Sequence, residues 1–194
     1  MNDISICIPT YNRAGFLVQC LTHLSGFSDQ RFEIVIGNNA STDETDEMVQ
    51  PFLSTFRRIV YLRHDENIGF ARNMDSILRR ASRNYIYILN DDDFVFEQAL
   101  MLAASLLRSN HAMVAVVGRY LSLRTLDPLL KMNSADAIAS TIKKEAFPAL
   151  LDNLSLCDGH PIIRRDTFQK NVLIWIELAP LFLSILICCS MVIL

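Results

Sequence analysis

Four short apolar runs, at residues 4–8, 32–36, 59–62 and 85–89, recur in the first half of this chain, each starting about 25 residues after the last. They are β-branched and aromatic, and apolar almost without interruption. Runs of four or five residues without polar alternation are strands covered on both faces. The intervals between them read as helices. Phe16, Leu17, Cys20, Leu21 and Leu24 repeat at three and four, and Phe70, Met74, Ile77 and Leu78 share a face of residues 69–81. Ser41-Thr42-Asp43-Glu44 has the form of a capping box opening the second helix. A fourth helix over residues 97–107 leads to a strand at 113–117. Strand and helix alternate, so the expected fold is α/β, a parallel sheet over residues 1–118 flanked by helices. Beyond it, residues 135–151 read as helical and Pro161-Ile162-Ile163 as a short strand, with Asp166 capping the element after it.

Composition narrows the function classes. A net charge of −3 and a pI near 5.8, with no Lys/Arg block longer than two, give no attraction to nucleic acid. The five cysteines show no C-x-x-C spacing, which argues against a zinc ribbon and a disulfide framework, and Cys7 reads as a small buried hydrophobe. The first residues carry no basic region followed by an apolar core, so a cytoplasmic domain is expected.

Ligands of open parallel sheets bind outside the carboxyl ends of the strands. Each of the first four runs ends in a polar cluster: Pro9 to Arg13, Gly37 to Ser41, His64 to Gly69 with Arg72 and Asn73 beyond, and Asn90-Asp91-Asp92-Asp93. The acidic triplet is the sharpest of these. Adjacent carboxylates repel by ~4 kcal/mol per 4 Å pair at an effective dielectric of 20. A hard divalent cation removes that cost and takes carboxylate, phosphate and water oxygens as ligands. Helix capping accounts for one such carboxylate and poorly for three. Taken singly, Asn38-Asn39 is equally a turn, Arg72 a solvated helix residue and Tyr11 a rim aromatic.

Together the four clusters resemble the family 2 glycosyltransferases of GT-A fold. The resemblance rests on ISICIPTYNR, FEIVIGNNASTD, NIGFARN and LNDDD, in order over about 95 residues. The wording NNASTDET and NIGFARN is similar to the branch that builds bacterial surface polysaccharides, abequosyltransferase-like sequences among them. The resemblance implies a nucleoside-diphosphate sugar donor, a polysaccharide or lipid-linked acceptor, Mg²⁺ or Mn²⁺ as cofactor and a single inverting displacement. It implies that Pro9, Thr10 and Tyr11 hold and stack the base, and that Asn38 stands where the family commonly has a base-reading aspartate. Arg72 and Asp91 would reach the nucleotide, and Asp92, with Asp93, would hold the metal. Asn90 occupies a position that is often an aspartate. For the catalytic base the candidates are Asp152, Asp158, Asp166 and Glu177, with Glu177 favoured because burial in an apolar stretch raises a carboxyl pKa toward a base's range.

The implied organisation is a nucleotide-sugar-binding half at 1–118, a shortened acceptor side at 119–171 and a hydrophobic C-terminal helix at 172–194. That last segment is apolar at 19 of its 23 positions, and Glu177 is its single charge. Three readings of it stand: a membrane span behind Arg164, Arg165 and Lys170, which would attach the domain to the inner membrane; a buried acceptor-side helix; or the product of truncation. A nucleotide-binding domain without turnover is the alternative function. A nucleotidyltransferase is less favoured for want of an early Gly-rich phosphate loop.

Overall fold

A strand covered on both faces is buried at every position, and β1 (Ile4–Thr10) and β2 (Glu33–Asn38) are buried along their full lengths. The computed structural model describes residues 1–117, 140–143 and 161–170. It adds β3 (Ile59–Arg63), β4 (Tyr85–Ile88), β5 (Met113–Val117), β6 (Ser140–Lys143) and β7 (Ile162–Arg164). The helices are α1 (Ala14–Ser25), α2 (Thr45–Thr55), α3 (Phe70–Arg80), α4 (Glu97–Ser109) and α5 (Arg165–Lys170).

Side chains alternate between the two faces of each strand. Ile4, Ile6 and Ile8 of β1, with Ile34 and Ile36 of β2, pack with Leu17, Leu21, Val49 and Leu100 from α1, α2 and α4. Cys7, Val35, Ile86 and Ile88 turn the other way and meet Ile77 and Leu78 of α3. The result is three layers, with the expected strands in the expected places. Phe16 is the exception on α1. It is 48% exposed, and Arg13 lies 4.7 Å over its ring.

The sheet order is β3-β2-β1-β4-β7-β5-β6. β1 to β4 pair in parallel, with Cys7 opposite Val35 on one side and Ile88 on the other. β7 runs antiparallel between β4 and β5, and β6 is antiparallel outside β5. The strand expected at Pro161-Ile162-Ile163 therefore exists, but it interrupts the parallel run. Arg164 fixes it there: Nε donates to the Met113 carbonyl at 2.7 Å and Nη2 to the carbonyls of Leu107 and Asn110 near the end of α4. The Leu107 carbonyl lies in the last turn of α4, where a helix leaves its carbonyls without intrahelical partners.

Two local expectations need correction. The helix at 135–151 is contradicted where it is described, because Ser140–Lys143 is a strand. The β-branched pair Thr141-Ile142 suits a strand better than a helix, and β5 offers an open edge to pair with. The capping box is not made either. Ser41 Oγ accepts instead from the Asn12 amide at 2.9 Å, and Asp43 accepts from the Thr45 amide at 3.2 Å and the Ala14 amide at 3.0 Å.

Gly37 is where α3 settles on β2. A Cβ there would stand 2.5 Å from Ile77 Cγ2 and closer still to Asn73 Oδ1. Neither neighbour is free to move, since Ile77 is fully buried and Asn73 donates to the Gly37 carbonyl at 2.8 Å. Gly37→Ala is expected to cost about 1–3 kcal/mol through overpacking. A denaturation midpoint equal to that of the parent would refute this.

Candidate functional site

Because β1 to β4 are parallel, their carboxyl ends lie on one edge, and the four polar clusters meet there. Asparagine laces them together. Asn12 Oδ1 accepts from the Thr42 amide at 2.7 Å, which ties the loop after β1 to the loop after β2. Asn39 Nδ2 donates to Asn67 Oδ1 at 2.9 Å, and Asn39 Oδ1 accepts from the Ile68 amide at 2.9 Å, which ties the loop after β2 to the loop after β3. Asn67 Oδ1 also accepts from the amide of Gly69, whose φ of 83° opens α3 with a conformation few other residues adopt.

Asn38 is fully buried, and its amide is spent inside the protein. Oδ1 accepts from the Ser41 amide at 2.8 Å, and Nδ2 donates to the Tyr61 hydroxyl at 2.7 Å and to Asp46 at 3.1 Å. Asp46 also accepts from Tyr61 and, at 2.6 Å, from Arg63 Nε. Burial opposes the Asp46 charge, but these donors outweigh it and hold the carboxyl below its usual range, while burial and Asp46 push the Tyr61 phenol up. The side chain of Asn38 thus orders the end of β2 from within.

The acidic triplet divides by depth. Asp91 is buried, accepts from Thr10 Oγ1 at 2.7 Å and lies 3.4 Å from Arg13 Nε. Burial pushes its carboxyl up to about 6, with Asp92 and Asp93 adding to the rise against Thr10 and Arg13. Asp92 is part-exposed, its side chain 24% accessible, and its Oδ2 pairs with Arg13 Nη2 at 2.5 Å. Asp93 is buried and accepts from Asn90 Nδ2 at 2.9 Å. Pro9 is buried in β1, Tyr11 stands 42% exposed beside it, and Arg72 is exposed in the first turn of α3. Glu177 and Asp158 lie outside the described residues, as does the whole segment 172–194. Among the described residues no helix is long and apolar enough to cross a membrane.

Arg13 is the residue that sequence reasoning missed. It sits in the first polar cluster without a role there, yet it bridges Asp91 and Asp92 across 79 residues of chain. No sequence signal marks that pairing, because the parallel pairing of β1 with β4 creates it.

The donor set suits a divalent cation held partly by a ligand. Among the described residues, no three His, Cys, Asp or Glu side chains converge on one position. What is present is one accessible carboxylate, Asp92, backed by a buried one, Asp91, whose pKa is raised chiefly by burial. Mg²⁺ and Mn²⁺ are commonly bound in this way, through one or two carboxylates with substrate phosphates completing the shell.

Ala40 follows Asn39 with a φ of 60°. An L-residue there costs about 1–2 kcal/mol, of which glycine's greater freedom in the unfolded chain takes back about 0.4–1. Ala40→Gly should therefore stabilise the protein by roughly 0.5–1 kcal/mol. A lowered unfolding midpoint would contradict the strain argument.

A sheet of this order, with its polar clusters at the carboxyl ends of β1 to β4, is the architecture of GT-A glycosyltransferases, and two solved structures similar to it share that fold. The mannosyltransferase PcManGT from Pyrobaculum calidifontis, in complex with GDP-Man and Mn²⁺, superposes with a TM-score of 0.53 at 23% identity over 58% of this chain and 34% of its own. Staphylococcus aureus TarS 1-349 in complex with UDP-GlcNAc gives 0.60 at 18% identity over 87% of this chain and 47% of its own. Residues 5–171 match the model of glycosyl transferase family 2, and the chain belongs to that family. Abequosyltransferase RfbV of Salmonella typhimurium is 34% identical over 111 residues, 55% of this chain and 33% of the relative. Glycosyltransferase GlyG of Streptococcus pneumoniae is 29% identical over 117 residues, 60% and 38% respectively. The chain thus spans little more than a third of the length of these curated relatives.

Proposed function

We propose that the protein binds a nucleoside-diphosphate sugar at the carboxyl edge of β1 to β4 and transfers the sugar to a polysaccharide or lipid-linked acceptor. The observation that carries this reading is the joined cluster of Thr10, Arg13, Asp91 and Asp92 on that edge. Residues 1–118 would supply the donor half and residues 119–171 the acceptor side.

Tyr11, exposed just after β1, would stack on the base. Thr10, whose hydroxyl is donated to Asp91, would help hold the nucleotide from the end of β1, and Asn38 would act by ordering the loop after β2. Arg72 opens α3, whose amino terminus adds its own partial positive charge toward an anion. Mg²⁺ or Mn²⁺ would be held by Asp92, with Asp91 behind it, and supplies Lewis-acid stabilisation of the departing diphosphate. Arg13 keeps both carboxylates oriented. The acceptor hydroxyl attacks the anomeric carbon and gives its proton to a carboxylate base, for which Glu177 and Asp158 are the candidates. The bond to the diphosphate oxygen breaks on the opposite face and its electron pair leaves with the nucleotide, which inverts the centre.

Thermal unfolding with UDP, GDP, CDP and dTDP, each with and without Mn²⁺, tests the reading. A nucleotide at about 100 times its dissociation constant stabilises by ~2.7 kcal/mol, several degrees for a domain of this size. A metal-dependent shift with one nucleotide is expected. No shift with any of the four would refute it.

A further inference from the structure

The opposite edge of the sheet, where β1 to β4 begin, gathers arginines. Arg31 precedes β2, Arg57 and Arg58 precede β3, and Arg83 precedes β4; with Asn2, ahead of β1, they line a cavity of about 380 Å³. β1 is seven residues long, so at ~3.3 Å per residue this cavity lies roughly 20 Å from the acidic edge.

Half of that positive charge is compensated from within. Arg31 pairs with Asp29 at 2.9 Å and Arg58 with Glu33 at 3.0 Å. Both carboxylates are already crowded with donors: Glu33 also accepts from Ser5 and from the amide and hydroxyl of Ser82, and Asp29 from the Met1 amine. Among the described residues no carboxylate pairs with Arg57 or Arg83. Arg83 Nε is, moreover, buried without a hydrogen-bond partner among the described residues. A buried donor left unsatisfied is costly, and a charged one more so. An oxyanion in the cavity supplies the missing acceptor, and guanidinium groups present planar donor pairs that match phosphate oxygens. The protein is acidic overall, so this is a local positive field set against the charge of the whole.

We propose that this cavity is a second anion site, which binds a phosphate-bearing group through Arg57 and Arg83, with Arg31 and Arg58 contributing field. It is separate from the proposed donor edge and does not rest on glycosyl transfer. The phosphate can belong to a soluble anion or to a phospholipid headgroup, and two arms of one experiment separate these.

The full chain is titrated calorimetrically with inorganic pyrophosphate in the absence of divalent cation, and sedimented with vesicles of phosphatidylglycerol in phosphatidylcholine. Binding in at least one arm is expected, weakened about tenfold by Arg57→Gln and abolished by Arg57→Gln with Arg83→Gln. Arg57 is exposed, so the single variant keeps its fold, which circular dichroism verifies. Arg13→Gln, on the other edge, should leave the affinity within about twofold, as expected for sites that do not interact. Three results overturn the proposal: no binding in either arm, binding unchanged by Arg57→Gln, or binding lost in Arg13→Gln instead.

Discussion

Asp92→Asn should lower kcat/KM for sugar transfer by about 100-fold or more, in line with the loss of one preorganised electrostatic contact to a developing charge. Metal-dependent stabilisation by nucleotide should disappear with it. The reason for choosing Asp92 over its neighbours is depth. Asp91 and Asp93 are buried and hydrogen-bonded to Thr10 and Asn90, so replacing either disturbs the protein itself. Asp92 is part-exposed and pairs only with Arg13 among the described residues, and its amide isostere removes one charge from a crowded triplet. Stability without ligand should therefore stay within about 0.5 kcal/mol of the parent. Steady-state kinetics and unfolding curves on the same preparation check both halves. A variant with full activity would remove Asp92 from the mechanism.

The second large effect is structural. Glu33→Ala is expected to destabilise the protein by about 3 kcal/mol at neutral pH. Glu33 is 1% exposed, and its two oxygens accept from Ser5 Oγ at 2.6 Å, the Ser82 amide and hydroxyl at 2.8 Å each, and Arg58 Nε at 3.0 Å. Removal strands those donors at the start of β1, β3 and β4 together. Burial alone would raise the Glu33 pKa, but the hydrogen bonds outweigh it and hold it below the ordinary value. A depressed pKa fixes the sign: its contribution is complete above the unfolded pKa near ~4.3 and is lost as pH falls through the folded value. The gap between parent and variant should accordingly be widest at pH 7 and shrink below about pH 4.5. Urea unfolding across that range measures it, and a gap independent of pH would show that packing, not charge, sets the effect.

The sequence already carried the layered α/β fold because burial on both faces leaves a run that only a covered strand explains. Ile6, Val35 and Ile86 are buried for that reason. The edge that gathers the four polar clusters was legible too, since β1 to β4 are parallel and put their carboxyl ends on one side. The roles of individual polar residues were far less so. Asn38 and Asn39 look alike in the chain, yet Asn38 turns its amide to Ser41, Tyr61 and Asp46 while Asn39 ties its loop to Asn67 and Ile68. Thr10 likewise turns its hydroxyl to Asp91. A short polar side chain at a strand end has several backbone groups in reach, and which one it takes depends on loops brought from 29 to 81 residues away.

The apolar periodicity determined that this chain would form a sheet with helices on both faces, and that its polar strand ends would share an edge. Local burial is written in local spacing, so it could be read without the fold. Tertiary structure alone decided that β7 would part β4 from β5, that Arg13 would join Asp91 to Asp92, and that arginines from four separate positions ahead of the strands would line one cavity. Each depends on contacts between residues far apart in the chain, and a one-dimensional pattern holds no record of which distant partner closes first against which.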